Sequence, residues 1–264
     1  MQARHYDTKR YFLEQGITTK KYVIPYISDV LKIDKSTRVL EIGCSMGGNL
    51  TPFLEIGCPV TGIDISKHGI DLAHEYLTDY VQTGQLKLIC DDVYNRNSSD
   101  GTFDVIIMRD VIEHIHNQEK FMAFAKQFMA PGAVFFQAFP PWYNPFGGHQ
   151  QVCKNRFLSK LPYFHILPTF FYKSILKVFG ESEKTIEDLL EIKQTGISLE
   201  RFERILKTEQ YFTNKKTWYF INPNYETKFG LKPRVQNSIL TSIPFIRNFF
   251  VTAGYYVISI NSKK

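Results

Sequence analysis

Between Arg38 and Ala138, short apolar runs alternate with helical periodicities. Arg38–Ile42, Val60–Ile63, Leu86–Cys90, Asp104–Met108 and Ala133–Ala138 are runs bounded by glycine, aspartate or proline, the pattern of buried strands. The turn Gly43-Cys44-Ser45-Met46-Gly47-Gly48 follows the first run and leads into a helix over Asn49–Ile56. Ser66 is placed to cap a helix over Lys67–Tyr80, and a further helix over about Gln118–Met129 stops at Pro131-Gly132. Upstream, Tyr6 to Leu31 reads as helices, with Tyr22, Val23, Tyr26, Ile27 and Val30 at helical spacing. After Phe139 the rhythm breaks. Residues 140–197 are rich in Pro, Gly, Phe and Tyr and hold only helical patches; a helix over Leu199–Tyr211 then resumes it. Trp218–Ile221 reads as a sixth strand and Tyr255–Ile260 as a seventh, with a second insertion, 222–253, between them.

Strands that alternate with helices form a parallel sheet covered on both faces, and right-handed crossovers put every strand's C-terminal end on one edge, where ligands bind. The expected fold is therefore α/β: a seven-stranded, mostly parallel sheet with helices on both faces and helical, aromatic lid insertions after strands five and six. The chain divides into an N-terminal helical cap (1–30), a sheet core (31–139), a lid insertion (140–197), and the C-terminal part of the core (198–264) carrying the insertion 222–253.

The glycine-rich turn after the first strand lets a ligand approach the backbone, and the helix behind it presents N–H groups. Glu41 stands two residues before that turn, a poor neighbour for a pyrophosphate and a good one for a cation. The stretch Glu41-Ile42-Gly43-Cys44-Ser45-Met46-Gly47 resembles motif I of the class I, Rossmann-like S-adenosylmethionine (SAM)-dependent methyltransferases, with Ser45 where a glycine is usual. Gly62-Ile63-Asp64-Ile65-Ser66 resembles the family's second-strand motif, whose acid holds both ribose hydroxyls; Cys90-Asp91-Asp92-Val93 resembles the third, whose acid, here Asp92, accepts from the adenine amino group. Phe103–Ile115 resembles the fourth, which passes under the methionine part, so Arg109 and Asp110 are expected to contact that tail or order the pocket. The resemblance implies SAM as cofactor, S-adenosylhomocysteine (SAH) as product, and Glu41, Gly43, Cys44, Ser45, Gly47, Asp64, Ile65, Asp91, Asp92, Val93, Arg109 and Asp110 as its binding residues.

Methyl transfer from a sulfonium needs mainly proximity and orientation, plus a base where the acceptor is an alcohol or phenol. The loop after the fifth strand, Phe139–Gln151, carries aromatics, glycines and His149, the first choice for that base; His114 suits packing better. The Pro-Pro of Phe139–Trp142 follows the fifth strand and not the fourth, which argues against a nucleic-acid amino-methyltransferase. Four cysteines without a CxxC pair argue against zinc and disulfides, so no metal is expected and free thiols in a reducing cytosol are. Residues 1–150 carry a net charge of −3 and residues 151–264 a net +9, which directs an anionic acceptor or surface to the C-terminal half. Tyr163–Phe179 and Ile239–Val251 contain no acid and few cations, which suits a lid, a dimer contact, or the headgroup boundary of a membrane. The expectation is a cytoplasmic or peripheral enzyme that methylates an oxygen of a small molecule, a glycan precursor or a lipid-linked metabolite. A non-catalytic SAM-fold scaffold is the alternative, and the oligomeric state stays open.

Overall fold

A computed structural model describes residues 7–260. Its strands are β1 (Val39–Ile42), β2 (Val60–Asp64), β3 (Leu86–Cys90), β4 (Phe103–Arg109), β5 (Met129–Phe139), β6 (Phe212–Ile221), β7 (Arg234–Val235) and β8 (Ala253–Ser259). They form one sheet in the order β3-β2-β1-β4-β5-β8-β6-β7. The first five are parallel to one another, and β8 is antiparallel to both its neighbours. The seven expected strands are present. The eighth, β7, comes from the second insertion and pairs with the edge of β6; two residues are too few to leave a period-two signal.

β5 begins earlier than expected because Pro131-Gly132 does not end the preceding element. The pairing with β4 jumps from Phe103–Met129 to Val105–Val134, so both residues stand outside the ladder, where a missing N–H costs no bond. β6 also begins earlier, at Phe212, and its lysines Lys215 and Lys216 hide it from hydrophobicity because this part of the strand is half-exposed.

The helices are α1 (Thr8–Thr18), α2 (Ile24–Ser28), α3 (Thr51–Ile56), α4 (Lys67–Tyr76), α5 (Thr78–Gln82), α6 (Gln118–Ala125), α7 (Thr169–Val178), α8 (Glu183–Thr195), α9 (Leu199–Thr208), α10 (Asn224–Phe229) and α11 (Ser238–Thr241). A π turn, Thr19–Val23, joins α1 to α2. The expected cap on α4 is formed: Ser66 Oγ accepts from Gly69 N at 3.1 Å. Tyr6, expected to begin the first helix, lies outside the described residues.

Period two along the strands divides the core. Leu40, Ile106, Met108, Phe135 and Tyr256 face Phe121 of α6 and Phe202 of α9. Val39, Val105, Ile107, Phe136 and Tyr255 face Phe12, Val23, Ile27 and Phe53 of the N-terminal cap and α3. Glu41 shares the second face with Val39, and Arg109 shares it with Ile107. Two ionisable side chains are thereby turned into an otherwise apolar layer.

The first insertion is more than a lid lying on the sheet edge. Cys153, Leu158, Phe164, Tyr172, Leu176, Ile186 and Leu189 form a third, separate core within it. Trp142 ties this unit to the sheet: its N donates to Ile197 O at 2.8 Å, and its carbonyl bonds His165 Nε2 at 2.8 Å. Glycine is required beside it, since a Cβ on Gly196 would stand 2.6 Å from the Trp142 ring.

Candidate active site

The C-terminal ends of β1, β2, β3 and β4 meet at one edge. Gly43 turns there with φ +78°, and its N donates to Ile63 O at 2.8 Å. A Cβ at Gly43 would come within 2.4 Å of Val111, so the loop after β4 rests directly on the turn. Asp64, at the end of β2, accepts from Ser45 N through one oxygen and from Ser66 N through the other, each at 2.7 Å. Each oxygen keeps a second lone pair, which is what gripping a diol requires. Ile65 beside it is 76% exposed, an apolar surface at the mouth of the cleft. Cys44 and Gly47 form the buried floor of the turn, and burial pushes the Cys44 thiol well up, out of the reactive range.

The third strand's two acids separate. Asp91 is committed locally, accepting from Asp92 N and Asn95 Nδ2 at 2.8 Å and from Arg96 at 3.5 Å. Asp92 is exposed and spends one oxygen on Tyr94 N at 2.9 Å. Val93 turns its side chain into the core, which leaves its backbone to the cleft side.

Beneath the turn lies a polar network that the sequence did not disclose. Asn49 Nδ2 donates to Glu41 Oε1 at 2.7 Å. Arg109 donates to Asn49 Oδ1 at 2.9 Å, Thr19 Oγ1 at 3.0 Å and Asn224 Oδ1 at 2.7 Å. Arg109 thus binds the N-terminal cap, the turn and α10 of the second insertion into one body, with its donors turned to protein acceptors. Glu41 is fully buried and its Oε2 has no partner; burial pushes its pKa up to about 8. An unpaired buried carboxyl oxygen is costly unless something meets it. A cation would, and the donor set of Glu41, Asp64 and the open turn therefore fits SAM. A small recess between α1 and α10, lined by Tyr11, Gln15, Arg109 and Asn224, adjoins this network.

The loops after β4 and β5 come together beside the turn. Ser45, Asp110 and His149 all have positive φ, at 45°, 55° and 55°. Such strain in non-glycine residues concentrates where function over-determines the backbone. Glu113 is buried, and neither of its carboxyl oxygens has a hydrogen-bond partner. His149 Nε2 lies 3.9 Å from Glu113 Oε1, and its ring meets His114 edge-on at 5.0 Å. Burial, then the neighbouring His114 and His165, push the pKa of His149 down to about 3, while burial and Asp110 push Glu113 well up. The imidazole expected to act as the base is thus held in its neutral form by burial. Nothing in the local sequence pattern singles out Glu113 beyond its place beside His114.

Residues 15–145 match the family model described as "Methyltransferase domain". A sterol 4-C-methyltransferase of Caenorhabditis elegans is 24% identical over 110 residues, 42% of this chain and 33% of that one. A ubiquinone biosynthesis O-methyltransferase of Mesorhizobium japonicum is 31% identical over 107 residues, 38% of this chain and 40% of that one. The chain thus matches well under half the length of these relatives. In three dimensions it resembles a plantazolicin methyltransferase solved with SAH, at a TM-score of 0.52 and 15% identity, over 98% of this chain and 89% of that one. Domain match and sheet order agree: residues 15–145 carry a methyltransferase domain, and the sheet has the fold of the SAM-dependent methyltransferase it resembles.

Proposed function

We propose that the protein transfers the methyl group of SAM to an oxygen of a small-molecule acceptor, with glycan precursors and lipid-linked metabolites preferred. The observation that carries this reading is the junction at Gly43–Val111, which puts the loop bearing Glu113 directly against the nucleotide turn. Bound SAM supplies an electrophilic methyl group on a positively charged sulfur. Asp64 and Asp92 hold the nucleoside, the carboxyl of Glu41 offsets the cationic end, and the 140–151 loop closes the acceptor side. The acceptor oxygen forms the new bond to carbon, the carbon–sulfur pair stays on sulfur, and the hydroxyl proton passes through the neutral His149 imidazole to solvent. The names of the sterol and ubiquinone relatives support an acceptor with a lipid character. Incubation with SAM and a panel of phosphorylated sugars, phenols and isoprenoid lipids tests it. SAH formation that depends on one acceptor class supports the reading; SAM binding with no turnover on any of them favours a scaffold.

A second reading, a peripheral membrane enzyme, draws on the first insertion's surface. Phe170 and Val178 of α7 are 75% and 83% exposed, and Phe171, Phe157 and Phe179 lie open beside them. Between Lys154 and Gly180 there are five Lys or Arg and no acid. Apolar side chains ringed by cations suit an anionic lipid surface. Among the described residues no helix is long and apolar enough to cross a membrane, so contact would be at the surface. Phe249, also expected on this surface, is half-buried against Tyr143 and Tyr163 and joins the two insertions instead. Co-sedimentation with phosphatidylglycerol vesicles that is lost in Phe170→Ser/Phe171→Ser supports lipid contact; equal sedimentation of both proteins removes it.

A further inference from the structure

The four scattered cysteines speak only to thiolate sites. Glu113, His114 and His149 form a different kind of cluster: each offers a ligand atom, and these atoms lie within 4.8 Å of one another. Glu113 is 2% exposed and both of its oxygens lack a hydrogen-bond partner. A fold seldom buries a carboxyl with neither oxygen satisfied unless a further group belongs there.

The backbone under the cluster is fixed from several sides. Thr195 Oγ1 donates to Glu113 O at 2.6 Å, and Gln118 Nε2 bridges Ile112 O, at 2.9 Å, to Thr195 O, at 2.6 Å. The C-terminus of α8 is thereby clamped to the turn that carries Glu113 and His114. His149 is held in the left-handed region, its N donating to Phe146 O at 3.1 Å. A Cβ on Gly148, the residue before it, would fall 2.2 Å from the His165 side chain, so this loop has one seating. Preformed ligand positions of this kind are what a metal site needs.

We propose that Glu113, His114 and His149 bind a divalent transition-metal cation, with zinc and manganese as the fitting class, and leave coordination positions open toward the cleft. One carboxylate and two imidazoles form a mixed oxygen and nitrogen set that suits these ions and leaves them incompletely coordinated. A tetrahedral ion with bonds of about 2.0–2.2 Å sets its ligand atoms about 3.3–3.5 Å apart. The Glu113–His149 pair, at 3.9 Å, is already close to that spacing. His149 offers Nε2 toward Glu113, and its ring meets that of His114 edge-on. Asp110, left-handed at the end of β4 and partly exposed, adds negative charge to the same locality.

The assignment deepens the methyl-transfer reading and rests on it only for its use. A cation here would bind the acceptor's oxygen and make its hydroxyl more acidic. The hydroxyl proton leaves to solvent, the oxygen lone pair forms the carbon–oxygen bond, and the carbon–sulfur pair remains on sulfur. His149 is then a ligand and not a base.

The test is calorimetric titration of ZnCl₂ and MnCl₂ into the metal-stripped full chain and into Glu113→Gln, His114→Gln and His149→Asn; asparagine tolerates the left-handed backbone that His149 occupies. One ion per chain in the wild type, bound at least a hundredfold more weakly in each variant, is the expected result. Saturation with SAH is titrated in parallel. Retained SAH binding shows that a variant is folded, and failure of SAH binding in the wild type overturns the cofactor reading while the metal isotherm stands. Visible ligand-field bands on adding Co²⁺ to the wild type provide a readout that needs no variant. No stoichiometric ion in the wild type, no Co²⁺ bands, or equal binding by all three variants would overturn the site.

Discussion

The nucleotide edge and the first insertion position their side chains by different means. At the nucleotide edge, neighbouring strands set the positions. β1 pairs with β2 on one side and β4 on the other, so Glu41, Asp64 and Arg109 occupy successive strand ends in fixed register. The acid of β2 is then locked by two backbone N–H donors. In residues 140–197 single contacts set the positions: Gly148 against His165, Gly196 against Trp142, Trp142 against Ile197. In a region built on register, any side chain that suits the strand keeps the register, and the positions of the strand-end acids with it. A region built on single contacts shifts when one of them is altered, which fits the proposed role of 140–197 on the acceptor side.

The sharpest way to break this comparison is Asp64→Ala. It removes the proposed diol acceptor and also releases Ser45 N and Ser66 N, so both arms of the turn lose an anchor. Loss of charge-assisted hydrogen bonds worth about 1.5–3 kcal/mol each implies SAH binding weaker by at least about a hundredfold. Calorimetry checks it, with circular dichroism to show an intact fold. Binding within about threefold of wild type would mean that the register of β2 does not set the site.

This edge was legible in the sequence because each strand that carries it is apolar and each acid comes at a strand's end. The polar network below it was not. Thr19, Asn49 and Asn224 come from three distant segments, and nothing in their local pattern marks them as partners of Arg109. Glu113 was hidden for a related reason. Its oddity is burial without a partner, a property of the packed chain. The insertion's separate core was illegible because Cys153, Leu158, Phe164 and Tyr172 follow no single period. The short β7 left no trace for want of length.

The next substitution tests the insertion. In Gly148→Ala the new methyl group would overlap the His165 side chain, which is itself held by Trp142. Overpacking of this kind costs about 1–3 kcal/mol. Protection from hydrogen exchange is expected to fall in α7 and α8 and to hold in β1–β5, since the insertion has its own core. Uniform loss of protection across the sheet would show that the insertion and the sheet unfold as one unit, and the contrast between the two regions would fail.

The smallest effect sharpens the nucleotide edge further. Burial pushes the Glu41 pKa up to about 8 from its ordinary value of 4.5, against the opposing influence of Asn49 and Arg109. The folded, ligand-free chain therefore holds a proton there that the unfolded chain releases above pH 4.5. The stability this contributes is complete below about pH 4.5 and is lost as pH rises toward 8. Ligand binding has the opposite sign. A sulfonium and an ammonium prefer the carboxylate, so SAM affinity should rise between pH 6 and 8, by about tenfold at most per pH unit, and level off above that. In Glu41→Gln the Asn49 bond can persist while the titrating group is gone. The variant should be more stable than wild type at pH 8 relative to pH 5, and its SAM affinity should lose the wild type's extra dependence on pH. The comparison with the variant matters because the amino group of SAM titrates in the same range and acts on both proteins alike. Thermal melts at the two pH values and SAM titrations from pH 6 to 9 read both effects. Parallel pH profiles in the two proteins would show that the unpaired oxygen of Glu41 does not meet the cationic end of the cofactor, and the charge at the end of β1 would then serve only the network with Asn49.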